Sequence, residues 1–158
     1  MTGPHNVLGI ELNEYAAELA RVTVWIGELQ WRIQRGYGFK LNPVLEPLDH
    51  IECRDALMNA DGGEAAWPVA DAVVGNPPFI GNKRMRTALG DGYVEALRGA
   101  WADVPESSDF VMYWWHHAAQ LTRRGALQRF GLITTNSIRQ AFNRRVLEPH
   151  LADKKQPL

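Results

Sequence analysis

Short apolar segments alternate with helix-type sequence along this chain of 158 residues, and that alternation restricts its possible folds more than any other feature. Four segments are predicted to be strands: residues 7–10, the stretch HIEC at 50–53, DAVVG at 71–75 and FGLITT at 130–135. Strands that are joined through helices form parallel sheets. We therefore expect one α/β domain with a mainly parallel sheet, in which the carboxyl ends of all four strands share one edge.

The connections between these strands carry helix patterns. Seven apolar residues recur at steps of three and four and predict the buried face of one long helix, capped by Asn13 and ending near Gly36: Leu12, Tyr15, Leu19, Val22, Ile26, Leu29 and Ile33. A Gly- and Pro-rich loop follows at 36–49, and residues 82–104 indicate a mixture of loop and short helix.

Two more helices are predicted in the second half of the chain. The first is capped by Ser107 or Ser108 and runs to about Arg123, and we expect it to bury four residues: Val111, Trp114, Trp115 and Ala118. The second begins within SIRQAFNRRVLEPH at 137–150, and the polar tail at 151–158 has no predicted fold.

Composition excludes several classes of protein. The net charge of −1 is not that of a strongly basic nucleic-acid-binding protein, so any basic footprint must be local. The single cysteine, Cys53, is expected to be a small buried strand residue, and it cannot form an internal disulfide. The sequence contains no secretory signal and no apolar stretch of membrane-spanning length, so we expect a cytoplasmic protein without a membrane partner.

Polar side chains follow three of the predicted strands. Glu11, Asp55 and Asn76 each lie at or just past a strand's carboxyl end, where parallel sheets bind their ligands. One acid at such an edge can accept hydrogen bonds from a ribose diol, and an acid on the next strand can accept from an adenine amino group. The pair therefore suits a cofactor that contains adenosine. Helix capping and solvated loop acids remain the alternative for either acid alone.

The stretch GNPPF at 75–79 follows its strand without a gap. The Asn76 amide oxygen and a proline carbonyl, held rigidly together, offer two acceptors to the two hydrogens of one NH2 group. Such binding directs the electron density of the nitrogen towards an electrophile without a strong base. Phe79 can stack on the ring that carries the amine. The alternative is a Pro-Pro loop with a core phenylalanine.

GNPPF resembles motif IV, the (Asn/Asp/Ser)-Pro-Pro-(Tyr/Phe) signature of amino-methyltransferases that use S-adenosylmethionine. The longer strings VGNPPFIGNKRMR, SSDFVMYWWHHAA and GLITTNSIRQ resemble the methyltransferase region of MmeI-like enzymes, restriction–modification proteins that methylate adenine N6 in DNA. The resemblance implies a Rossmann-like methyltransferase fold and covers nearly the whole chain from Val7 onwards. Motif IV alone also admits methyltransferases that act on guanine in ribosomal RNA or on protein glutamine.

The resemblance assigns roles to residues at the predicted strand ends. It implies that Glu11 binds the ribose of S-adenosylmethionine, that Asp55 faces its adenine with Ala56 beside it, and that Asn76 also lies at the cofactor. Target-base roles fall on four adjacent residues: Asn76 and Pro77 as acceptors for the amine, Pro78 within the same loop, and Phe79 stacked on an adenine flipped out of double-stranded DNA.

The chain departs from the family pattern at both ends. No glycine-rich motif I precedes residue 7, and the further strands and the DNA-recognition region that follow in the family are absent. We therefore expect residues 1–158 to be a single, partial methyltransferase domain that is inactive by itself. It would act with a complementary chain or with the remainder of a larger enzyme, and a non-catalytic remnant is the alternative.

Two further groups of residues allow two interpretations each. Lys83, Arg84 and Arg86 suit contacts to DNA phosphates or a solvated basic loop. Asn136 and Ser137 suit contact with the target base or a turn. We expect the tryptophans at 114 and 115 to pack in the core and the histidines at 116 and 117 to lie on the surface or cap the helix. Adjacent helical residues point about 100° apart, so no metal site is predicted there.

Overall fold

The computed structural model describes residues 3–37 and 48–152, and its backbone separates into two compact units, residues 1–56 and 57–158. The predicted loop at 36–49 lies mostly outside the described residues, as does the tail at 151–158 after residue 152. The prediction of a single domain stays a prediction.

The first unit contains one short parallel strand pair and one long helix. In chain order its described elements are a 3-10 turn (Pro4–Asn6), β1 (Gly9–Glu11), α1 (Glu14–Gln34) and β2 (Ile51–Cys53). β1 pairs with β2 in parallel, so that Glu11 lies opposite Cys53. The predicted cap of α1 is confirmed, because the Asn13 side-chain oxygen accepts a hydrogen bond from the Ala16 backbone N–H at 3.0 Å.

The buried face of α1 differs from the prediction. Six of the seven residues of the apolar stripe are exposed: Leu12, Tyr15, Leu19, Val22, Ile26 and Ile33. Ala17 is fully buried instead, and the Arg21 side chain donates hydrogen bonds to the carbonyls of Leu48 (3.3 Å) and Ile51 (2.5 Å). At 100° per residue, Ala17 and Arg21 lie on roughly the opposite side of the helix from the stripe. These hydrogen bonds hold the side of α1 that carries Ala17 and Arg21 against β2.

Cys53 corrects a second prediction for this unit. It was expected to be buried, but it is an exposed free cysteine whose thiol lies 3.7 Å from the Leu12 carbonyl. The residue ends β2, so the strand's packing partners do not extend over its side chain, whereas Ile51 at the start of the strand is buried.

The second unit contains a parallel strand pair and five helical segments. Its elements are β3 (Ala72–Gly75), α2 (Asn82–Leu89), α3 (Asp91–Ala100), α4 (Val111–Arg123), β4 (Arg129–Leu132), a 3-10 turn (Asn136–Arg139) and α5 (Ala141–Leu151). β3 pairs with β4 in parallel, with Gly75 opposite Leu132. The predicted mixed region at 82–104 therefore forms two consecutive helices.

The strand β3 is apolar in sequence but only partly buried in the structure. Ala72 is exposed, Val73 is half-buried and Val74 is 85% exposed. Side chains of a strand alternate between its two faces, so a strand packed on one face only leaves every second residue in solvent.

The core of the second unit is formed by its helices. Its fully buried members include large residues from α2, α3, α4 and α5: Met85, Val94, Leu97, Met112, Tyr113 and Val146. Trp101 belongs to the same cluster, and its indole N–H donates to the Leu57 carbonyl at 3.1 Å. A buried indole thus has its one polar group satisfied.

The start and the middle of α4 both differ from the prediction. The helix begins at Val111, so neither Ser107 nor Ser108 caps it, and the buried Ser108 hydroxyl instead donates to the Phe142 carbonyl at 3.4 Å. Val111 and Ala118 are buried as expected, and Trp114 and Trp115 are half-buried against the core.

The histidines of α4 were expected to lie on the surface or to cap the helix, but His116 and His117 are both buried in its middle. The His116 Nδ1 atom lies 3.1 Å from the Nε2 atom of His150 on α5. The His117 ring packs against Trp67, with ring centroids 4.4 Å apart, and against Trp101. Aromatic neighbours on both sides thus exclude water from a helix face that the sequence marks as polar.

No helix within residues 3–37 and 48–152 is long and apolar enough to cross a membrane. The same residues contain no group of three or more His, Cys, Asp or Glu side chains that could hold a metal ion.

Candidate functional site at the strand ends

Two acids lie at the carboxyl edge of the strand pair in the first unit. Glu11 ends β1, and Asp55 follows the end of β2 by two residues. Both strands run in the same direction, and the Arg54 backbone N–H donates to the Glu11 carbonyl at 3.0 Å. The structure therefore brings Glu11, Asp55 and the neighbouring Ala56 to one edge, and all three are half-buried.

The Glu11 carboxylate already has one local partner. Its Oε1 atom accepts a hydrogen bond from the Asn13 backbone N–H at 2.9 Å, which fixes the turn between β1 and α1. The Oε2 atom has no hydrogen bond within the described part of the chain. Glu11 thus supports the helix entry, as the alternative interpretation holds, and keeps one charged acceptor for a ligand.

The loop after β3 in the second unit is held at both of its ends. The Gly75 carbonyl accepts from the Ile133 N–H at 3.0 Å, and the Ile80 carbonyl accepts from the Phe110 N–H at 2.9 Å. Only the four residues 76–79 lie between these two anchors. Two of them are prolines, which restrict the backbone and have no N–H to satisfy. The segment is therefore short, stiff and independent of internal hydrogen bonds.

Three of the four residues in this loop face solvent. Pro77 is buried, whereas Asn76, Pro78 and Phe79 are exposed, and Phe79 retains 49% of its surface. The Asn76 side chain makes no hydrogen bond to any other described residue. The exposed Asn76 amide offers an oxygen acceptor next to the buried Pro77, and the half-exposed Phe79 ring lies three residues after Asn76. This arrangement can bind an aromatic amine.

Asp109 and Asn143 form a buried polar cluster that holds the start of α2, the helix that follows the loop. The sequence analysis did not identify this cluster. The Asp109 Oδ1 atom accepts from the Asn82 backbone N–H (3.0 Å), and its Oδ2 atom accepts from the Asn143 Nδ2 group (2.8 Å). Asn143 is fully buried, and Asp109 is nearly so. Asn143 is a polar residue between Phe142 and Val146 in an amphipathic helix, and that position was the one available signal in the sequence.

The basic residues after the loop differ in their contacts. Lys83, Arg84 and Arg86 are all exposed on α2. The Arg86 guanidinium donates to Asp91 at 3.0 Å and also pairs with Glu95, and these carboxylates raise its pKa above the ordinary value. Arg86 is therefore engaged within the chain, and Lys83 and Arg84 are the more accessible cations of the three.

Asn136 and Ser137 begin the 3-10 turn that follows β4. The Thr135 side chain accepts from the Ser137 N–H at 3.4 Å, and the two hydroxyls are 2.6 Å apart. These contacts favour the turn interpretation for Ser137. The exposed Asn136 leaves contact with a target base open.

The structure thus assembles two sets of predicted residues, each within its own unit. Glu11, Asp55 and Ala56 form the first, and residues 76–79 with the start of α2 form the second. A crevice common to all the strand ends stays a prediction.

One comparison with known proteins gives a match. The family model described as MmeI, DNA-methyltransferase domain, matches residues 3–157. Comparison with curated proteins and comparison with solved structures gave no match.

Proposed function

Since this chain belongs to the MmeI DNA-methyltransferase domain family, we propose that it methylates the N6 amino group of adenine in DNA as part of a restriction–modification system. The observation that carries the proposal is the loop at 76–79, which is anchored at both ends, stiffened by two prolines and exposed at Asn76 and Phe79. It follows a parallel strand at its carboxyl end, where α/β proteins bind ligands.

The target amine is held by two oxygens of this loop. The Asn76 side-chain oxygen and the Pro77 carbonyl accept its two hydrogens, so the nitrogen lone pair is directed away from the protein and towards the incoming methyl group. Fixed acceptors of this kind need no rearrangement during the reaction, which is how preorganised dipoles lower a barrier. Pro77 is buried, and this keeps its carbonyl in place.

S-adenosylmethionine, when bound, supplies an electrophilic methyl group. The donor and acceptor chemistry of the first unit fits this cofactor, because two half-buried carboxyl groups end adjacent parallel strands and the cofactor offers a ribose diol and an adenine amine. Glu11 would accept from the ribose through Oε2, and Asp55 with Ala56 would lie at the adenine.

Phe79 and the basic residues of α2 serve the DNA. Taking a base out of the duplex costs a few kcal/mol, and stacking on an aromatic side chain returns about 1–3 kcal/mol. Phe79 has enough exposed surface to provide that stack. Lys83 and Arg84 are free of the ion pairs that engage Arg86, so they are better placed for phosphates.

The proposal is tested by replacing Asn76 in the full-length protein. In Asn76→Ala we expect kcat for methyl transfer to unmethylated genomic DNA to fall by about a hundredfold or more, as when one preorganised polar group is removed from an active site. Cofactor affinity should change by no more than about twofold, because the main cofactor contacts lie elsewhere. N6-methyladenine in the digested DNA is quantified by mass spectrometry.

Gln128→Ala is the matched control, since it removes an exposed amide at the amino end of β4, away from the loop. It should leave kcat for methyl transfer and the affinity for the cofactor unchanged. If the wild-type protein methylates RNA or protein but no adenine in DNA, the proposed substrate is wrong. Equal loss of cofactor binding and rate in Asn76→Ala would contradict the division of roles.

A further inference from the structure

We propose that Asp109 and Asn143 are positioning residues that clamp the loops following β3 and β4, and so hold the target-amine acceptors in place. The inference rests on the proposed function of the Asn76–Phe79 loop for its catalytic consequence. The clamp itself is a matter of geometry within the second unit, and its hydrogen bonds can be tested whether or not methyl transfer is observed.

The first contact of the clamp is on the loop after β3. The Ile80 carbonyl and the Asn82 N–H are held by consecutive residues, through the Phe110 N–H at 2.9 Å and the Asp109 carboxylate at 3.0 Å. Gly81, the N-cap of α2, has no side chain to satisfy that helix. Asp109 supplies the missing acceptor from another element, and its negative charge suits a helix N-terminus.

The second contact is on the loop after β4. The Asn143 Nδ2 group donates to Asp109 at 2.8 Å and to the Ser137 carbonyl at 2.9 Å, and its Oδ1 atom accepts from the Asp109 N–H at 2.9 Å. One buried amide therefore ties α5 to both loops. β3 and β4 run parallel, so these loops leave the same edge of their strand pair.

Burial makes this network specific as well as strong. Every polar atom of the Asn143 side chain has a partner, and a buried polar group that loses its partner costs more than the bond contributes. A carboxylate–amide pair also has one compatible orientation, because each oxygen must face an N–H. The pair thus fixes the distance between α2 and α5 in a way that two apolar side chains would not.

The consequence for the reaction follows from the shortness of the loop. Phe79 is only three residues before Asn82, and two prolines upstream transmit a displacement instead of absorbing it. A misplacement of about 1 Å at a reacting group costs on the order of a hundredfold in rate. Loosening the clamp should therefore lower the rate of methyl transfer with little effect on cofactor affinity.

Isosteric exchange provides the test. In Asp109→Asn the new amide nitrogen faces either the Asn143 Nδ2 group or the Asn82 N–H, so one of these two contacts becomes donor against donor. Asn143→Asp sets two carboxylates together. The double exchange Asp109→Asn/Asn143→Asp restores one donor and one acceptor between the two positions. It leaves the Ser137 carbonyl facing an oxygen, so only the contact on the loop after β3 is rebuilt.

Two measurements are combined on the full-length protein: hydrogen exchange of the backbone amides and the kinetics of methyl transfer. In Asp109→Asn and in Asn143→Asp we expect exchange of the Asn82 amide to accelerate by about tenfold or more, as for loss of a buried hydrogen bond. We expect kcat to fall by about tenfold or more, since even small displacements are costly, with cofactor affinity unchanged. The double exchange should recover Asn82 protection and part of kcat.

Asp71→Ala is the control, because it removes the hydrogen bond from Gln128 at the amino end of the same strand pair. It should alter neither Asn82 exchange nor kcat. Unchanged exchange in folded Asp109→Asn, or accelerated exchange with unchanged kcat, would overturn the proposal. If a single substitution fails to fold, the double substitution provides the test. The proposal then requires that the double variant folds and that its Asn82 backbone amide is protected from hydrogen exchange. If the wild type methylates no DNA, the proposed function is refuted, and hydrogen exchange of the Asn82 backbone amide alone tests the clamp.

Discussion

Phe79 is the residue whose proposed role in base stacking can be separated most cleanly from a role in folding. Its side chain is about half exposed, so truncation removes about half of the buried surface that a core phenylalanine would lose. In Phe79→Ala we expect kcat/KM for DNA to fall by about tenfold to a hundredfold, which corresponds to a stack worth 1–3 kcal/mol. The free energy of unfolding should fall by no more than about 1 kcal/mol, well below the roughly 3–5 kcal/mol expected for a fully buried phenylalanine.

Phe79→Tyr should retain most activity, because its ring offers the same face. Ile133→Ala, which truncates another exposed apolar residue of the second unit, serves as the control and should leave kcat/KM unchanged. A loss of stability in Phe79→Ala as large as the loss of activity would mean that the ring is structural, which is the alternative stated for this position.

At the scale of single residues, the sequence predicted positions better than environments. Glu11, Asp55 and Asn76 lie at strand ends as expected, because the end of an apolar run is a local feature. The burial of His116 and the exposure of Cys53 were both predicted wrongly. These environments depend on which distant elements pack over a residue, and hydropathy along the chain does not report that. The partnership of Asp109 with Asn143, 34 residues apart, was missed for the same reason.

At the scale of elements, α1 is the clearest departure from expectation. Its apolar stripe is exposed within the described residues, and Ala17 on the other side is buried. The periodicity predicted an amphipathic helix correctly, but it could not say which face the neighbouring strands would cover. Arg21, a residue that periodicity assigns to solvent, sets the orientation through its hydrogen bonds to two carbonyls.

The exposed stripe of α1 leads to a prediction about association. Contiguous apolar surface promotes self-association, so we expect the purified chain to form concentration-dependent oligomers. Val22→Lys, in the middle of the stripe, should weaken that association and leave helix content unchanged. Gln34→Lys adds the same charge to an exposed position of α1 on another face of the helix and is the control. Sedimentation velocity over a range of concentrations measures the effect, and equal behaviour of both variants would contradict it.

At the scale of the whole molecule, the alternation of strands and helices was predicted well. All four predicted strands are present, and both observed pairings are parallel. The sequence could not predict that the described strands pair as β1 with β2 and β3 with β4, in units divided near residue 56. Which strands pair depends on packing between segments that are distant along the chain, whereas each strand is recognisable from a few neighbouring residues.

The second unit as a whole should lose stability in mild acid because of its buried histidines. Desolvation, with smaller contributions from neighbouring positive groups, lowers the pKa of His116 and of His117 to about 4, and burial also lowers the pKa of His150. The unfolded chain, with histidines near their ordinary value of 6.5, then binds more protons than the folded one. Stability is therefore fully present above about pH 6.5 and falls as the pH drops towards 4.

The expected loss is at most about 3 kcal/mol for each of His116 and His117, at 1.36 kcal/mol per unit of pKa difference. His117→Phe tests the cause, because both ring nitrogens of His117 lack hydrogen-bond partners among the described residues and the ring packs against Trp67 and Trp101. A phenyl ring suits that site without titrating, so the variant should match the wild type at pH 7 and exceed its unfolding free energy at pH 5.

Urea unfolding followed by tryptophan fluorescence at pH 7, 6 and 5 measures the free energy of unfolding of each variant. His5→Phe, at an exposed position of the first unit, should leave the pH dependence as it is. If His117→Phe loses stability between pH 7 and 5 as steeply as the wild type, the acid sensitivity does not arise from this ring.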